Sequence, residues 1–330
     1  MKARYGLGLG ALLLLGLLAL SVPEAGSQPR SLRGQSADTR PLPGERGPRL
    51  RVDVDLVLVQ VTVTDPYNRL VTGLDKEHFE VSEDKAVQEI LYFSNEDAPL
   101  SLGIVFDVSG SMESSGKMER ATKAAVQFLE TSNPQDEFFL VRFSDQPDLL
   151  AGFTSTVEDV QNQLLYSRPE GRTALFDALY LALDTMREAH NPRKALLVIS
   201  DGGDNRSRYG VKDIKAFVRE SDVQIYAIGI FDPVSQRGQP ELVWGPSLLG
   251  ELAEMTGGRM FPVEIYAIHE LPDVAQKISV ELRNQYVIGY RPSNRHRDGT
   301  WRKIRVKLNP PKGLPPLTTY ARSGYYAPSE

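Results

Sequence analysis

Leu102–Met112 reads LGIVFDVSGSM. A short apolar run ends in Asp107, and Ser109 and Ser111 follow at alternate positions around Gly110. A run of this length without polar interruption reads as a strand buried on both faces, as in a parallel sheet. The polar residues then sit at its carboxyl end, where open parallel sheets bind ligands near the point at which strand order reverses. One stretch thus predicts both a fold and the position of a site.

Outward from it the same rhythm repeats. Strands are expected at Leu102–Phe106, Phe138–Phe143, Ala195–Ile199, Gln224–Ile230 and Arg259–Val263. Between them helical periodicity covers Lys117–Glu130, Val157–Tyr166, Ala174–Ala189, Val211–Glu220, Ser247–Met255 and His269–Asn284. Such alternation means parallel strands joined by helical crossovers on both faces. Leu149–Phe153 follows Phe143 too closely for a crossover, so an antiparallel edge strand is expected there. The fold class is therefore α/β, a doubly wound, mostly parallel sheet with one antiparallel edge strand.

The flanks read as β structure. Asp53–Thr64, DVDLVLVQVTVT, predicts a strand buried on both faces near Leu56–Val59, with turn chemistry at Asp65-Pro66-Tyr67-Asn68. Short apolar groups follow at Leu70–Val71, Phe79–Val81 and Ile90–Phe93. After Asn284 come QYVIGYRP, a turn at Asp298-Gly299, and WRKIRVKL. In the last piece Ile304, Val306 and Leu308 alternate with Lys303, Arg305 and Lys307, predicting a half-buried strand. Its basic face reads as solvated and as a guard against edge pairing, not as a nucleic-acid patch. Each flank is too short for a stable sheet alone. They are expected to pair into one small, discontinuous, β-sandwich-like domain, residues 51–97 and 285–327, with the α/β domain inserted at 98–284.

Residues 1–26 carry Lys2 and Arg4, an apolar run from Leu7 to Leu20, and small residues up to Ala25. These are the parts of a secretory signal peptide, and the run is shorter than the about 20 residues of a membrane span. Only retention of this segment would give a membrane tether. Residues 27–50 are rich in Pro, Gly, Ser and Arg and read as a disordered linker. The chain is expected to be secreted or to reside in the periplasm or cell envelope.

Composition removes several function classes. With 38 basic against 43 acidic residues the formal charge is −5, which argues against nucleic acid as a partner. There is no cysteine, hence no disulfide, thiolate metal site or cysteine nucleophile. The histidines, His78, His190, His269 and His296, form no HExxH. Neither a Walker lysine loop nor a GxSxG elbow occurs, and the second acid of a dehalogenase-type phosphatase would fall at Ser109. The chain is read as a non-enzyme without catalytic residues. A magnesium-dependent hydrolase or phosphatase, with Asp201 as base in the hydrolase case, is the remaining enzyme reading.

Two further loops belong to the expected sheet top. Gly171-Arg172-Thr173 opens the helix ALFDALYLAL, and Asp201-Gly202-Gly203-Asp204 follows the strand ALLVIS. Three loops then present Asp107, Ser109, Ser111, Thr173 and Asp201, a set of hard oxygen donors suited to Mg²⁺, with Mn²⁺ or Ca²⁺ as alternatives. Hydroxyls bind an ion without adding charge, and aspartates acting through water leave it electron-poor with one position vacant. An Asp or Glu of a protein partner would complete the octahedron. Asp204 and Asp177 are candidates for supporting roles behind the ligands, and Arg172 for contact with the partner. The chemistry favours recognition over catalysis.

The sequence here resembles the von Willebrand factor type A domain over about Leu100–Asn284, with all five positions of that family's metal-ion-dependent adhesion site present. The resemblance implies that Ser109 and Ser111 ligate directly, Thr173 ligates in the ligand-ready state, and Asp107 and Asp201 act mostly through water. The flanks, VTGLDKEHFEVSEDKAVQEI ahead and QYVIGYRPSNRHRDGTWRKIRV with ARSGYYAP behind, are similar to a bacterial group related to that family. The implied function is metal-dependent adhesion or recognition; the alternative is an envelope assembly or accessory scaffold with a structural ion.

Overall fold

The computed structural model describes residues 56–201, 203–231 and 240–329. The signal and linker expected at 1–26 and 27–50 lie outside the described residues. In chain order the strands are β1 (Val57–Thr64), β2 (Phe79–Glu83), β3 (Ala86–Gln88), β4 (Ile90–Ser94), β5 (Leu100–Asp107), β6 (Glu137–Phe143) and β7 (Pro147–Thr154). They continue with β8 (Arg193–Ser200), β9 (Gln224–Phe231), β10 (Met260–Glu264), β11 (Tyr286–Tyr290), β12 (Trp301–Leu308), β13 (Thr318–Ala321) and β14 (Gly324–Tyr326). The helices are α1 (Lys117–Glu130), α2 (Val157–Leu165), α3 (Leu175–Thr185), α4 (Val211–Glu220), α5 (Pro240–Thr256) and α6 (Leu271–Arg283). No helix among the described residues is long and apolar enough to cross a membrane.

The central sheet has the order β10-β9-β8-β5-β6-β7. Its pairings are parallel except for β7, which lies antiparallel on the β6 edge. From β5 the chain moves outward through β6 and β7, then returns to add β8, β9 and β10 on the other side. Strand order therefore reverses beside β5 and β8, whose carboxyl ends adjoin.

Period-two geometry sorts β5 between two cores. Leu100, Leu102, Ile104 and Phe106 join residues of α1, α2 and α6 on one face, and Val105 joins those of α3, α4 and α5 on the other. Three helix boundaries differ from the sequence reading. The helix expected from Ser247 begins at Pro240, a proline that fits the first turn. The stretch expected as a helix to Ala189 leaves α geometry after Thr185 and ends in a 3-10 turn, Met186–Glu188. Ile265–Glu270 is likewise a 3-10 segment, and α6 begins only at Leu271, with proline at Pro272 in its first turn.

The flanks pair with each other. β1 lies between β11 and β13, and β4 adds to β11; β12 lies between β14 and β2, and β3 adds to β2. These two four-stranded antiparallel sheets share one core, with Val59, Val61, Val63, Tyr286 and Ile288 from the first and Phe79, Val81, Ile304 and Val306 from the second. Two expectations need correction. Leu58 is 43% exposed and Leu56 is also exposed, so one face is open at the start of β1, and burial on both faces comes only further along, from Val61 to Thr64. An apolar composition cannot distinguish a covered sheet face from an open one. β12 carries the expected exposed Lys303, Arg305 and Lys307, but it is an interior strand, so its charges guard no edge. Alternation reports which face meets water and is silent about neighbours. Leu70 and Val71 form no strand; Leu70 makes an isolated bridge to Thr64.

A buried polar cluster ties the antiparallel sheets to the α/β layers. Arg259, just before β10, bonds Glu281 of α6 at 2.5 Å and Asn68 at 3.0 Å, and its guanidinium lies over Tyr320 of β13. Gln285 donates to Thr62 of β1 at 3.1 Å and to Tyr226 of β9 at 3.2 Å. Burial pushes the Glu281 carboxyl above its ordinary range against the pull of Arg259. Truncating one member of a buried ion pair leaves the other charge uncompensated. Arg259→Ala is therefore expected to cost about 3–5 kcal/mol in urea unfolding. The double change Arg259→Met with Glu281→Leu should cost less, and a single substitution costing under about 1 kcal/mol would contradict this account.

Candidate metal centre

β5 delivers Asp107 to the sheet edge fully buried. Its Oδ1 accepts the Ser109 amide at 2.8 Å, which folds the following residues back over the strand end. Its Oδ2 accepts the Ser200 hydroxyl at 2.6 Å, a bond across the reversal point to the last residue of β8. Next in the chain is Asp201, 5% exposed. The Ser109 and Ser111 hydroxyls lie 3.0 Å apart.

The second loop is stitched to the first through backbone. Gly110 N–H donates to Gly171 O at 3.0 Å, and Glu170 N–H donates to Val108 O at 2.8 Å. Glycine suits both positions. A Cβ on Gly110 would stand 3.2 Å from Gly171 O; Gly171 has φ +77° and a Cβ there would meet Asp145 Oδ2 at 2.7 Å. Thr173 follows, buried, with its backbone held on both sides by Asn205: its N–H donates to Asn205 Oδ1 and its carbonyl accepts the Asn205 N–H, each at 3.0 Å. That exchange fixes the second loop to the third.

The remaining candidates have defined places. Asp177 accepts Arg208 N–H at 2.9 Å and Arg208 Nε at 3.0 Å, stapling the third loop onto α3. Asp204 accepts the Phe176 amide at 3.0 Å and the Ser207 hydroxyl at 2.6 Å, so its carboxylate satisfies the first turn of α3. Arg172 is exposed, and its backbone N–H donates to Asp145 Oδ1 at 3.1 Å. Beside these loops lies a cleft of about 560 Å³ whose walls include the Asp145–Arg206 and Asp177–Arg208 pairs.

Sequence reasoning passed over Lys117, Ser200, Asn205 and Asp145. Lys117 is buried, and its ammonium donates to Ser111 O and to Asp201 Oδ2, both at 3.2 Å. The available signal was its place at the first turn of the helix that follows the serines. The other three act through hydrogen bonds between elements distant in sequence, which no local pattern marks.

The donor chemistry suits a hard divalent cation. Asp201 Oδ1 is buried without a hydrogen-bond partner, a costly arrangement that hydrated metal would relieve. Among the described residues no three His, Cys, Asp or Glu side chains form a group that could hold a metal ion.

Burial above all, and then the charge of Asp201, push the Asp107 carboxyl up from 3.8 to about 7, against the bonds from Ser109 and Ser200. With divalent ions chelated, the folded chain keeps a proton here that the unfolded chain releases near pH 3.8. Stability from this group is thus present at acid pH and lost as pH rises through about 4 to 7. Thermal unfolding in chelator should show a Tm falling over that interval. Asp107→Asn should raise the metal-free Tm at neutral pH and flatten the dependence; a variant as pH-sensitive as the wild type would contradict this assignment.

The family model of the von Willebrand factor type A domain matches residues 102–203, from β5 to the loop after β8. No curated protein matches the chain. Similar solved structures include BatB from Bacteroides thetaiotaomicron, 18% identical, covering 55% of this chain and 98% of that one with a TM-score of 0.45. The von Willebrand factor domain of the type V pili tip protein Mfa5 from Porphyromonas gingivalis is 12% identical over 56% of this chain and 97% of that one, with a TM-score of 0.44. The PilB minor pilin from Streptococcus sanguinis is 15% identical over 57% and 63%, with a TM-score of 0.43.

Proposed function

We propose that this chain, which carries a von Willebrand factor type A domain, is an exported, non-enzymatic binding protein. In this reading it holds one divalent cation, magnesium before manganese or calcium, and uses it to capture an Asp or Glu side chain of a partner protein. The observation that carries the reading is the buried, unpartnered Asp201 Oδ1 beside the loop of Ser109 and Ser111.

Ser109, Ser111 and Thr173 are assigned as direct, uncharged ligands, and Asp107 and Asp201 as water-mediated ones. A bound ion would supply a Lewis-acidic position open to a carboxylate. The protein's own part is to keep five donors in place before the ion arrives. Asp107 orders its loop through Ser109 and Ser200, and Asn205, Asp177 and Asp204 hold the other two loops. The reading of residues 1–26 as a secretory signal supports binding outside the cytoplasm.

The test is metal titration by calorimetry, paired with capture from envelope extract in magnesium and in EDTA. Asp107→Ala and Ser109→Ala are expected to keep the fold by circular dichroism, to lose ion binding by at least about tenfold, and to lose the partner that EDTA also releases. Capture that survives both substitutions and chelation, while only Tm falls, would identify the ion as structural and favour the scaffold reading.

A further inference from the structure

Lys117 opens α1 directly after Gly116, whose φ of 71° turns the chain into the helix. Lysine at a helix start normally extends its ammonium into water. Here the side chain is 7% exposed, and the ammonium donates to Ser111 O and Asp201 Oδ2. It joins the loop of the two serines to the second aspartate, within the set of groups assigned to the ion. A buried ion pair gains little over well-packed apolar side chains, so stability alone gives no reason for lysine at this position.

The charge balance gives one. In the metal-site reading the two carboxylates, Asp107 and Asp201, would face a divalent ion; with Lys117 present, the protein offers a net single negative charge instead of two. Resting on the metal-site reading above, we propose that Lys117 is a tethered cation. It holds Asp201 in place before a divalent ion enters, weakens the hold on that ion once bound, and leaves the loaded site with net positive charge. That surplus is what favours an anionic group from the partner. Asp201 divides the tasks between its oxygens: Oδ2 is held by the ammonium, and Oδ1 remains for the ion's hydration shell.

A lysine serving only to hold the loop makes the opposite forecast, since its removal would loosen the donors and weaken the ion. The full chain, stripped with chelator and dialysed, is titrated with manganese and with magnesium by calorimetry, and its unfolding is followed with and without each ion. Lys117→Met removes the charge, and Lys117→Gln removes it while retaining a donor. Both are expected to bind each ion at least about tenfold more tightly than wild type, because a unit charge at this range acts strongly on a divalent one. Both should also melt lower when metal-free and recover more of their Tm on adding the ion. Lys117→Arg, which keeps the charge, should stay within about threefold of wild type. Equal or weaker affinity in both Lys117→Met and Lys117→Gln overturns the tethered-cation role while leaving the site intact. If Lys117→Met does not fold, Lys117→Gln decides. Absence of ion binding in wild type and every variant overturns the site itself, and this role with it.

Discussion

The parallel pairing of β5 with β8 is the constraint on which the site depends. Its register sets Phe106 opposite Ile199, so the chain leaves both strands at the same edge and places Asp107 near Asp201. The bond from Ser200 to Asp107 locks the two ends together. Burying two carboxylates so close is unfavourable without an opposite charge. The sheet's own cohesion, with β5 buried along its whole length, holds them there regardless. The rise in the Asp107 pKa is the sign of that opposition, and the buried Lys117 is its partial answer within the chain.

The three loops are arranged to withstand this local cost. None is positioned by its own sequence alone. Backbone bonds join Gly110 to Gly171 and Val108 to Glu170, and Asn205 grips Thr173 from both sides. Asp145, Asp177 and Asp204 spend their carboxylates on amides of neighbouring loops or of α3. Loops held this way are ordered before any ligand is present, which lowers the cost of binding one. At the other end of the α/β layers, α6 runs through Gln285 directly into β11, and Arg259, paired with Glu281 of the same helix, reaches Asn68 and Tyr320 of the antiparallel part. The two parts of the molecule therefore share buried polar groups as well as a chain crossing.

Much of this was legible in the residues. The apolar run before Asp107, its repetition at β6, β8 and β9, and the short spacing to β7 gave the doubly wound sheet with its antiparallel edge. The spacing of Asp107, Ser109 and Ser111, with Thr173 and Asp201 on later loops, marked the candidate donors. Other features were not legible. Leu56 and Leu58 look as buried as Val59 and Val61, because side-chain type does not say whether a sheet face is covered. Ala86–Gln88, Thr318–Ala321 and Gly324–Tyr326 are too short and irregular to carry a period, and they become strands only because a partner edge is present.

By itself the sequence determined the order of elements, which residues are apolar on which face, and the inventory of oxygen donors, since these follow from local periodicity and side-chain chemistry. Tertiary structure alone decided which of those donors meet and what compensates them. Lys117 reads as a surface residue until Asp201, 84 positions later in the chain, closes over it. Which amides Asp204 and Asp177 accept is set only when the loop after β8 packs onto α3. Electrostatic and hydrogen-bond energies depend on distances between groups far apart along the chain, and only the packed sheet sets those distances.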